Sequence, residues 1–230
     1  MIIAVSARSF FPVLLVVLLS ACGSPPAREA AKPVPPPAEK TAPAAADSRP
    51  VIATFGDSLS AGYGLDPGDS YPSNLQSLLD AAGYSYRVVN MGVSGDTTTD
   101  GLTRLPDVTA LHPEIVILEF GANDGLRGQP VTSTRDNLTA MIDGLQKAGS
   151  KVVLAGITLP RNYGPDYIKQ FDAVYPALGA KYKLTAIPFL LEGVGGNPAL
   201  TQPDGLHPTA EGCKIVARTV LKYLEPVLRR

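Results

Sequence analysis

The chain has 230 residues, of which 45% are hydrophobic and 18% charged, and its 20 Lys and Arg nearly balance its 21 Asp and Glu. This length is sufficient for one domain with a sizeable core. Because the charge is close to neutral and no basic block is present, a nucleic-acid partner is not expected.

The N-terminal segment predicts a lipoprotein signal peptide over residues 1–21. Arg8 precedes the apolar run "FFPVLLVVLL", which is too short to span a bilayer comfortably but suits a signal-peptide core. The run ends in "LSAC" at 19–22, which resembles the bacterial lipobox. That resemblance implies cleavage before Cys22 and lipidation of its thiol. An ordinary signal peptide with an incidental cysteine is the alternative.

Residues 22–50 predict a lipidated cysteine followed by a disordered Pro- and Ala-rich tether. The stretch after Cys22 has no aromatic and one branched apolar residue, so it cannot bury enough surface to offset its ordering entropy. Gly23 stands where inner-membrane retention typically needs Asp, so we expect an outer-membrane lipoprotein of a Gram-negative bacterium, facing the periplasm. If Cys22 is acylated, Cys213 has no disulfide partner, and its helical surroundings predict a buried core residue.

Residues 51–230 predict one α/β domain. Short β-branched runs ending at turn residues predict parallel strands at 51–57, 86–92, 114–121 and 151–157, with a weaker fifth at 184–190. Amphipathic stretches predict helices over 70–83, 98–111, 132–149, 166–182 and from about residue 208. The strict alternation of strands and helices, without internal repeats, favours a three-layer α/β sandwich on a mostly parallel sheet.

The loops that follow the strands are where chemistry is expected, because open α/β sheets bind ligands beyond the carboxyl ends of their strands. The first of these loops, "FGDSLSAGYG" at 55–64, contains Ser58. It is not a dinucleotide fingerprint, since the third required glycine position is Pro67, and it is not a G-x-S-x-G elbow, since position 60 is serine. A purely structural serine in a glycine-rich turn remains the alternative.

A nucleophilic serine needs a base, which near neutral pH is usually histidine. His112 lies at the opposite end of the third strand and is expected to be a solvated turn residue. His207, in "PDGLHPTAEG" at 203–212, is therefore the candidate base. Pro208 suits the first position of the last helix, which would place His207 near that helix's N-terminus. Asp204 is the nearest acid able to hold the second ring nitrogen.

Donors for a developing oxyanion can come from backbone N–H groups or side-chain amides. The second loop offers Gly92 or Gly95, and the third offers Asn123. The residues alone do not decide between the two glycines.

Four blocks in order, "GDSLSAGYG", "NMGVSGDTT", "GANDGLRG" and "DGLHPTAEG", resemble the SGNH or GDSL hydrolase family from about Val51 to the last helix. Residues 159–176 resemble its branch of periplasmic acyl-CoA thioesterases, arylesterases and lysophospholipases. The resemblance implies a flavodoxin-like α/β/α sandwich with about five parallel strands. It also implies hydrolysis of acyl, aryl or lysophospholipid esters, and of thioesters, without a metal or organic cofactor.

The same resemblance implies individual roles. Ser58 would be the nucleophile, His207 the base and Asp204 its orienting acid. The oxyanion donors would be the Ser58 backbone N–H, Gly95 in preference to Gly92, and the Asn123 amide. We expect a monomer that takes a small-molecule ester and is held at the membrane through Cys22. A carbohydrate or peptidoglycan O-acetylesterase and a non-catalytic envelope-binding lipoprotein are the competing hypotheses.

Two further predictions concern the loops. The aspartates beside the site residues, Asp57, Asp96 and Asp124, are expected to shape the loops through hydrogen bonds. Residues 124–132, "DGLRGQPVT", are expected to form a mobile wall of the acyl pocket, because glycines flank Leu126 and Arg127.

Overall fold

The structure, a computed structural model, describes residues 47–230. The predicted signal peptide, Cys22 and nearly all of the predicted tether lie outside the described residues. Within residues 47–230, no helix is long and apolar enough to cross a membrane.

Five parallel strands form one sheet in the order β2-β1-β3-β4-β5, which confirms the predicted fold class. The strands are β1 Val51–Gly56, β2 Arg87–Asn90, β3 Ile115–Glu119, β4 Lys151–Ala155 and β5 Thr185–Ile187. The weak fifth strand is therefore real but short. It ends before Pro188, whose nitrogen has no hydrogen to donate to a ladder.

Eight α-helices connect and follow the strands in the described part of the chain. They are α1 Ser58–Ala61, α2 Tyr71–Ala81, α3 Thr98–Thr109, α4 Ala122–Leu126, α5 Val131–Lys147, α6 Pro165–Asp172, α7 Val174–Tyr182 and α8 Ala210–Leu224. Helix α2 packs against α8 and α3 against α5, so the sheet is accompanied by two helix pairs.

Three helix boundaries differ from the sequence prediction. The single helix expected over 166–182 is two helices, with Ala173 between them. Helix α5 begins at Val131 after Pro130, one residue before the predicted start at 132. The last helix begins at Ala210, where the Thr209 side chain accepts the Gly212 N–H and so caps it.

Strands β1 and β3 occupy the centre of the sheet, and every residue of both is buried. Cys213 lies buried in α8, as predicted, and is a free thiol. Burial raises the pKa of that thiol to about 11, so it stays protonated and unreactive near neutral pH. His112 is exposed in a turn with a positive φ of 47°, which confirms its predicted place.

Candidate functional site

The turn after β1 sets the position of Ser58. Asp57 caps α1, its side chain accepting the Leu59 N–H at 3.1 Å, which makes Ser58 the first residue of the helix. The helix ends after one turn at Gly62, whose φ of 80° suits glycine. Ser58 is thereby held at the carboxyl edge of the sheet, where the loops after the strands were expected to carry the chemistry.

A second turn presents Asp204 and His207. Asp204 Oδ1 accepts the backbone N–H groups of Leu206 at 2.9 Å and His207 at 3.0 Å, so the acid organises its own turn. The turn is closed by Gln202, whose backbone N–H donates to the His207 carbonyl at 2.7 Å. Pro208 pairs with Thr201 in an isolated bridge. The prediction that Pro208 is the first residue of the last helix is therefore wrong, because its backbone belongs to this bridge.

The two turns meet through their side chains. Ser58 Oγ lies 2.8 Å from His207 Nε2, and His207 Nδ1 lies 2.6 Å from Asp204 Oδ2. Both distances are within the range expected for hydrogen bonds that carry proton transfer. The three side chains form one continuous hydrogen-bonded chain.

The surroundings of Asp204 favour its ionised form. Partial burial raises the pKa of the carboxyl, but the hydrogen bonds from the His207 ring and from the Leu206 and His207 backbone N–H groups outweigh it. The net pKa lies below its ordinary value, so the carboxylate is charged at neutral pH and holds a proton on His207 Nδ1.

The predicted oxyanion donors gather beside Ser58. The Asn123 side-chain nitrogen is held between Asp57 Oδ2 at 3.2 Å and the Asp96 carbonyl at 3.0 Å. Gly95, Asn123 and Ser58 line the same cavity. Gly92 does not line it, because its N–H donates to Asn90 Oδ1 at 2.9 Å and its Cα packs on the backbone of α1.

The neighbouring aspartates make the hydrogen bonds expected of loop-shaping residues. Asp96 pairs with Arg104 at 2.6 Å. Asp124 is buried and accepts the backbone N–H of Thr98 at 2.8 Å together with the Thr98 hydroxyl. These bonds join the loop after β2 to the loop after β3.

The sequence prediction missed a buried polar cluster beneath the site. Glu119 Oε2 accepts the Asp57 N–H at 3.2 Å and the Ser60 hydroxyl at 2.9 Å, and Ser60 also bonds to Tyr71 Oη at 2.9 Å. The available signal was the second glutamate of the strand run "EIVILEFG". An acid buried in an apolar strand needs hydrogen-bond partners nearby.

A mostly apolar cavity of about 760 Å³ opens at the hydrogen-bonded side chains. Its apolar wall includes Leu59, Leu126, Ile157, Leu159, Phe189 and Leu191. Tyr63, 52% exposed, lies at the mouth, with its ring centroid 4.7 Å from that of His207. No group of three or more His, Cys, Asp or Glu suited to a metal occurs within residues 47–230.

The segment 124–132 supplies part of the cavity wall through Leu126. Arg127 donates to the Gly95 carbonyl at 2.8 Å, and the Tyr163 hydroxyl donates to the Leu126 carbonyl at 3.0 Å. Gly125 packs against Leu159 so closely that a Cβ would clash. The wall is where it was predicted, and its mobility stays a prediction.

Comparison with known proteins places these features in a wider group. The model of the GDSL-like lipase/acylhydrolase family matches residues 54–215. Esterase TesA of Pseudomonas aeruginosa is 44% identical over 178 residues, covering 77% of this chain and 89% of the relative. Thioesterase 1/protease 1/lysophospholipase L1 of Escherichia coli K12 is 37% identical over 186 residues, covering 80% of this chain and 86% of the relative. A crystal structure of TesA superposes with a TM-score of 0.75, covering 77% of this chain and 99% of that one.

Proposed function

The chain belongs to the GDSL-like lipase/acylhydrolase family, and we propose that it is a serine esterase that hydrolyses carboxylic esters and thioesters of acyl, aryl or lysophospholipid substrates. The observation that carries this proposal is the hydrogen-bonded chain from Ser58 through His207 to Asp204 at the mouth of an apolar cavity. The names of the relatives, esterase and thioesterase/lysophospholipase, support the same reaction class.

In the proposed mechanism Ser58 Oγ attacks the substrate carbonyl while His207 Nε2 takes its proton. Asp204 holds the other proton on Nδ1 and stabilises the imidazolium that forms. His207 then protonates the leaving alcohol or thiol, leaving an acyl-enzyme on Ser58. Water, deprotonated by the same Nε2, releases the acid and restores the free serine.

The oxyanion of each tetrahedral intermediate is proposed to be bound by the Ser58 and Gly95 backbone N–H groups and the Asn123 amide. In the free site the two hydrogens of the Asn123 amide point to Asp57 Oδ2 and to the Asp96 carbonyl, and the oxyanion is proposed to take the hydrogen that points to the Asp96 carbonyl. Donors held in place by the chain stabilise the transition state because they need little reorganisation during reaction.

The cavity suits the acyl chain of an amphiphilic substrate. Its lining is mainly aliphatic and aromatic, and 760 Å³ exceeds what an acetyl group needs. Arg161 is exposed at the rim, so a polar or anionic head group could remain at the mouth while the chain is buried. This size favours acyl esters over an O-acetylesterase activity.

A substrate panel tests the proposal. Hydrolysis of p-nitrophenyl acetate, butyrate and octanoate by the full-length chain should extend to the longer esters, and Ser58→Ala should lose activity on all of them. A fluorophosphonate probe should label the wild type and spare Ser58→Ala. Activity confined to acetate would contradict the acyl site, and equal labelling of both proteins would contradict the serine mechanism.

We also propose that Cys22 is acylated and tethers the domain, as a monomer, to the periplasmic face of the outer membrane of a Gram-negative bacterium. The support is the "LSAC" sequence at 19–22, Gly23 and the Pro- and Ala-rich stretch up to residue 50. Radiolabelled palmitate should be incorporated by the wild type and not by Cys22→Ala. Membrane fractionation and size-exclusion chromatography of the detergent-solubilised protein test the location and the monomeric state.

A further inference from the structure

Glu119 is the last residue of β3 and is fully buried. Its Oε2 accepts two hydrogen bonds, from the Asp57 N–H at 3.2 Å and from the Ser60 hydroxyl at 2.9 Å. Its Oε1 is buried and has no hydrogen-bond partner among residues 47–230. Opposite it in the sheet stands Gly56, where a Cβ would overlap both the carboxyl of Glu119 and the hydroxyl of Ser60. The fold thus keeps a space for this acid.

Asp57 is also fully buried and connects Glu119 to Asn123. Its Oδ1 accepts the Leu59 N–H at 3.1 Å, and its Oδ2 accepts Asn123 Nδ2 at 3.2 Å. The hydrogen bond that joins the two acids runs from the Asp57 backbone N–H to Glu119 Oε2 at 3.2 Å. No ion pair involves either acid in the described part of the chain.

Two adjacent carboxyl groups without a cation cannot both be charged in a buried site. Burial and then the charge of Asp57 raise the pKa of Glu119 well above its ordinary value, whereas burial raises that of Asp57 to about 6. The proton therefore resides on Glu119, and Asp57 keeps the single charge.

Other ionisable groups face the pair from the elements around it. They are Tyr71 of α2, Tyr175 of α7, His207 of the loop before α8, and Arg104 of α3, which donates to the Gly56 carbonyl at 3.3 Å. Arg104 is itself paired with Asp96, so it does not neutralise the pair.

We propose that Glu119 and Asp57 form a buried positioning relay for the oxyanion donor: Glu119 holds the Asp57 backbone N–H, and the Asp57 carboxylate in turn fixes the Asn123 amide nitrogen. The relay rests on the proposed function, because Asn123 acts as a donor only when Ser58 forms a tetrahedral intermediate. The second hydrogen of the same nitrogen points to the Asp96 carbonyl at 3.0 Å, and it is this hydrogen that turns to the oxyanion while Asp57 keeps the first.

The test compares Asp57→Asn, Glu119→Gln and the control Tyr71→Phe in the full-length chain. Asn is a good helix cap and can keep the Leu59 N–H bond, so Asp57→Asn is expected to fold. Glu119→Gln reproduces the shape and the donor of a protonated glutamate. Tyr71→Phe removes a buried hydroxyl from the same cluster without touching Asp57 or Asn123. Urea unfolding of each variant monitors stability separately from catalysis.

Two readouts are specific for the oxyanion site. They are kcat and KM for p-nitrophenyl butyrate, and the inhibition constant of an alkyl trifluoromethyl ketone, whose adduct with Ser58 places a charged oxygen against the donors. Asp57→Asn should lower kcat about 10- to 100-fold, less than or comparable to removing one donor. It should raise the inhibition constant of the ketone by a similar factor and leave KM within about threefold of the wild-type value. Glu119→Gln and Tyr71→Phe should keep both values within about threefold.

The outcomes separate the relay from the function on which it rests. If Ser58→Ala is inactive but Asp57→Asn keeps wild-type kcat and ketone affinity, the relay is wrong and the esterase proposal stands. If Glu119→Gln lowers kcat and ketone affinity as far as Asp57→Asn does, the assignment of the proton to Glu119 is overturned. If Ser58→Ala remains active, the proposed function itself has failed.

Discussion

Asp204 determines which nitrogen of His207 carries the proton, and Asp204→Asn isolates that effect. Oδ1 accepts the Leu206 and His207 backbone N–H groups, while Oδ2 lies 2.6 Å from Nδ1. An asparagine keeps one oxygen for the two backbone bonds and sets its NH₂ group against Nδ1. The ring is then held with its proton on Nε2, which lies 2.8 Å from Ser58 Oγ and can no longer accept the serine proton.

The expected loss is large because the ring keeps its place but has the wrong tautomer. In a serine triad this change lowers kcat on the order of 10⁴-fold, or about 5 kcal/mol of activation free energy. The assay is kcat and KM for p-nitrophenyl butyrate, with urea unfolding to show that the turn persists. Asp107→Asn, on an exposed position of α3, is the matched control and should retain full activity.

A kcat for Asp204→Asn within tenfold of the wild type, with an unchanged unfolding midpoint, would refute the reasoning. It would mean that the ring selects its tautomer without the carboxylate.

Three other changes give independent checks. Gly56→Ala should lower the free energy of unfolding by about 1–3 kcal/mol, since the added Cβ overlaps Glu119 and Ser60; an unchanged urea curve would count against this packing. Burial raises the pKa of Asp57 from 3.8 to about 6, so its contribution to native stability is fully present below about pH 4 and is lost as the pH rises through about 6. Asp57→Asn removes that titration, so its unfolding free energy relative to wild type should rise by about 2 kcal/mol between pH 4 and 6; a flat difference would be inconsistent with this burial. Phe189→Ala should lower kcat/KM for p-nitrophenyl octanoate about tenfold while sparing acetate, and equal losses on both esters would argue against an acyl chain lying along Phe189.

The sequence was sufficient to predict the sheet because the signals that mark each strand are local. The four β-branched runs coincide with β1 to β4 within a few residues, and the terminal glycine of β1 marks where the chain turns. Helices α1 and α4 were missed because they have four and five residues, too few for a 3.6-residue periodicity to be visible. Both carry residues of the site, Ser58 and Asn123, so the missed elements are the ones that aim its side chains.

The contacts that hold the site were harder to foresee. The approach of Asp204 to His207 follows from three-residue spacing in a turn, but the bridge between Thr201 and Pro208 depends on a pairing that spacing does not encode. The pairing of Glu119 with Asp57 joins residues that lie 62 positions apart. Only the register of β1 against β3 brings that pair together, and register is a property of the assembled sheet.

The proposed site combines one contact between residues close in the sequence with another between residues far apart in it. Asp204 and His207 are three residues apart and pair within one turn, whereas His207 and Ser58 are 149 residues apart. Ser58 follows the first strand, and His207 precedes the last helix, which packs on α2. A partly unfolded domain from which α8 and its preceding turn have detached would keep acid and base paired and still be inert. Loss of activity in denaturant would therefore measure how firmly the C-terminal helix is docked, ahead of any loss of the sheet.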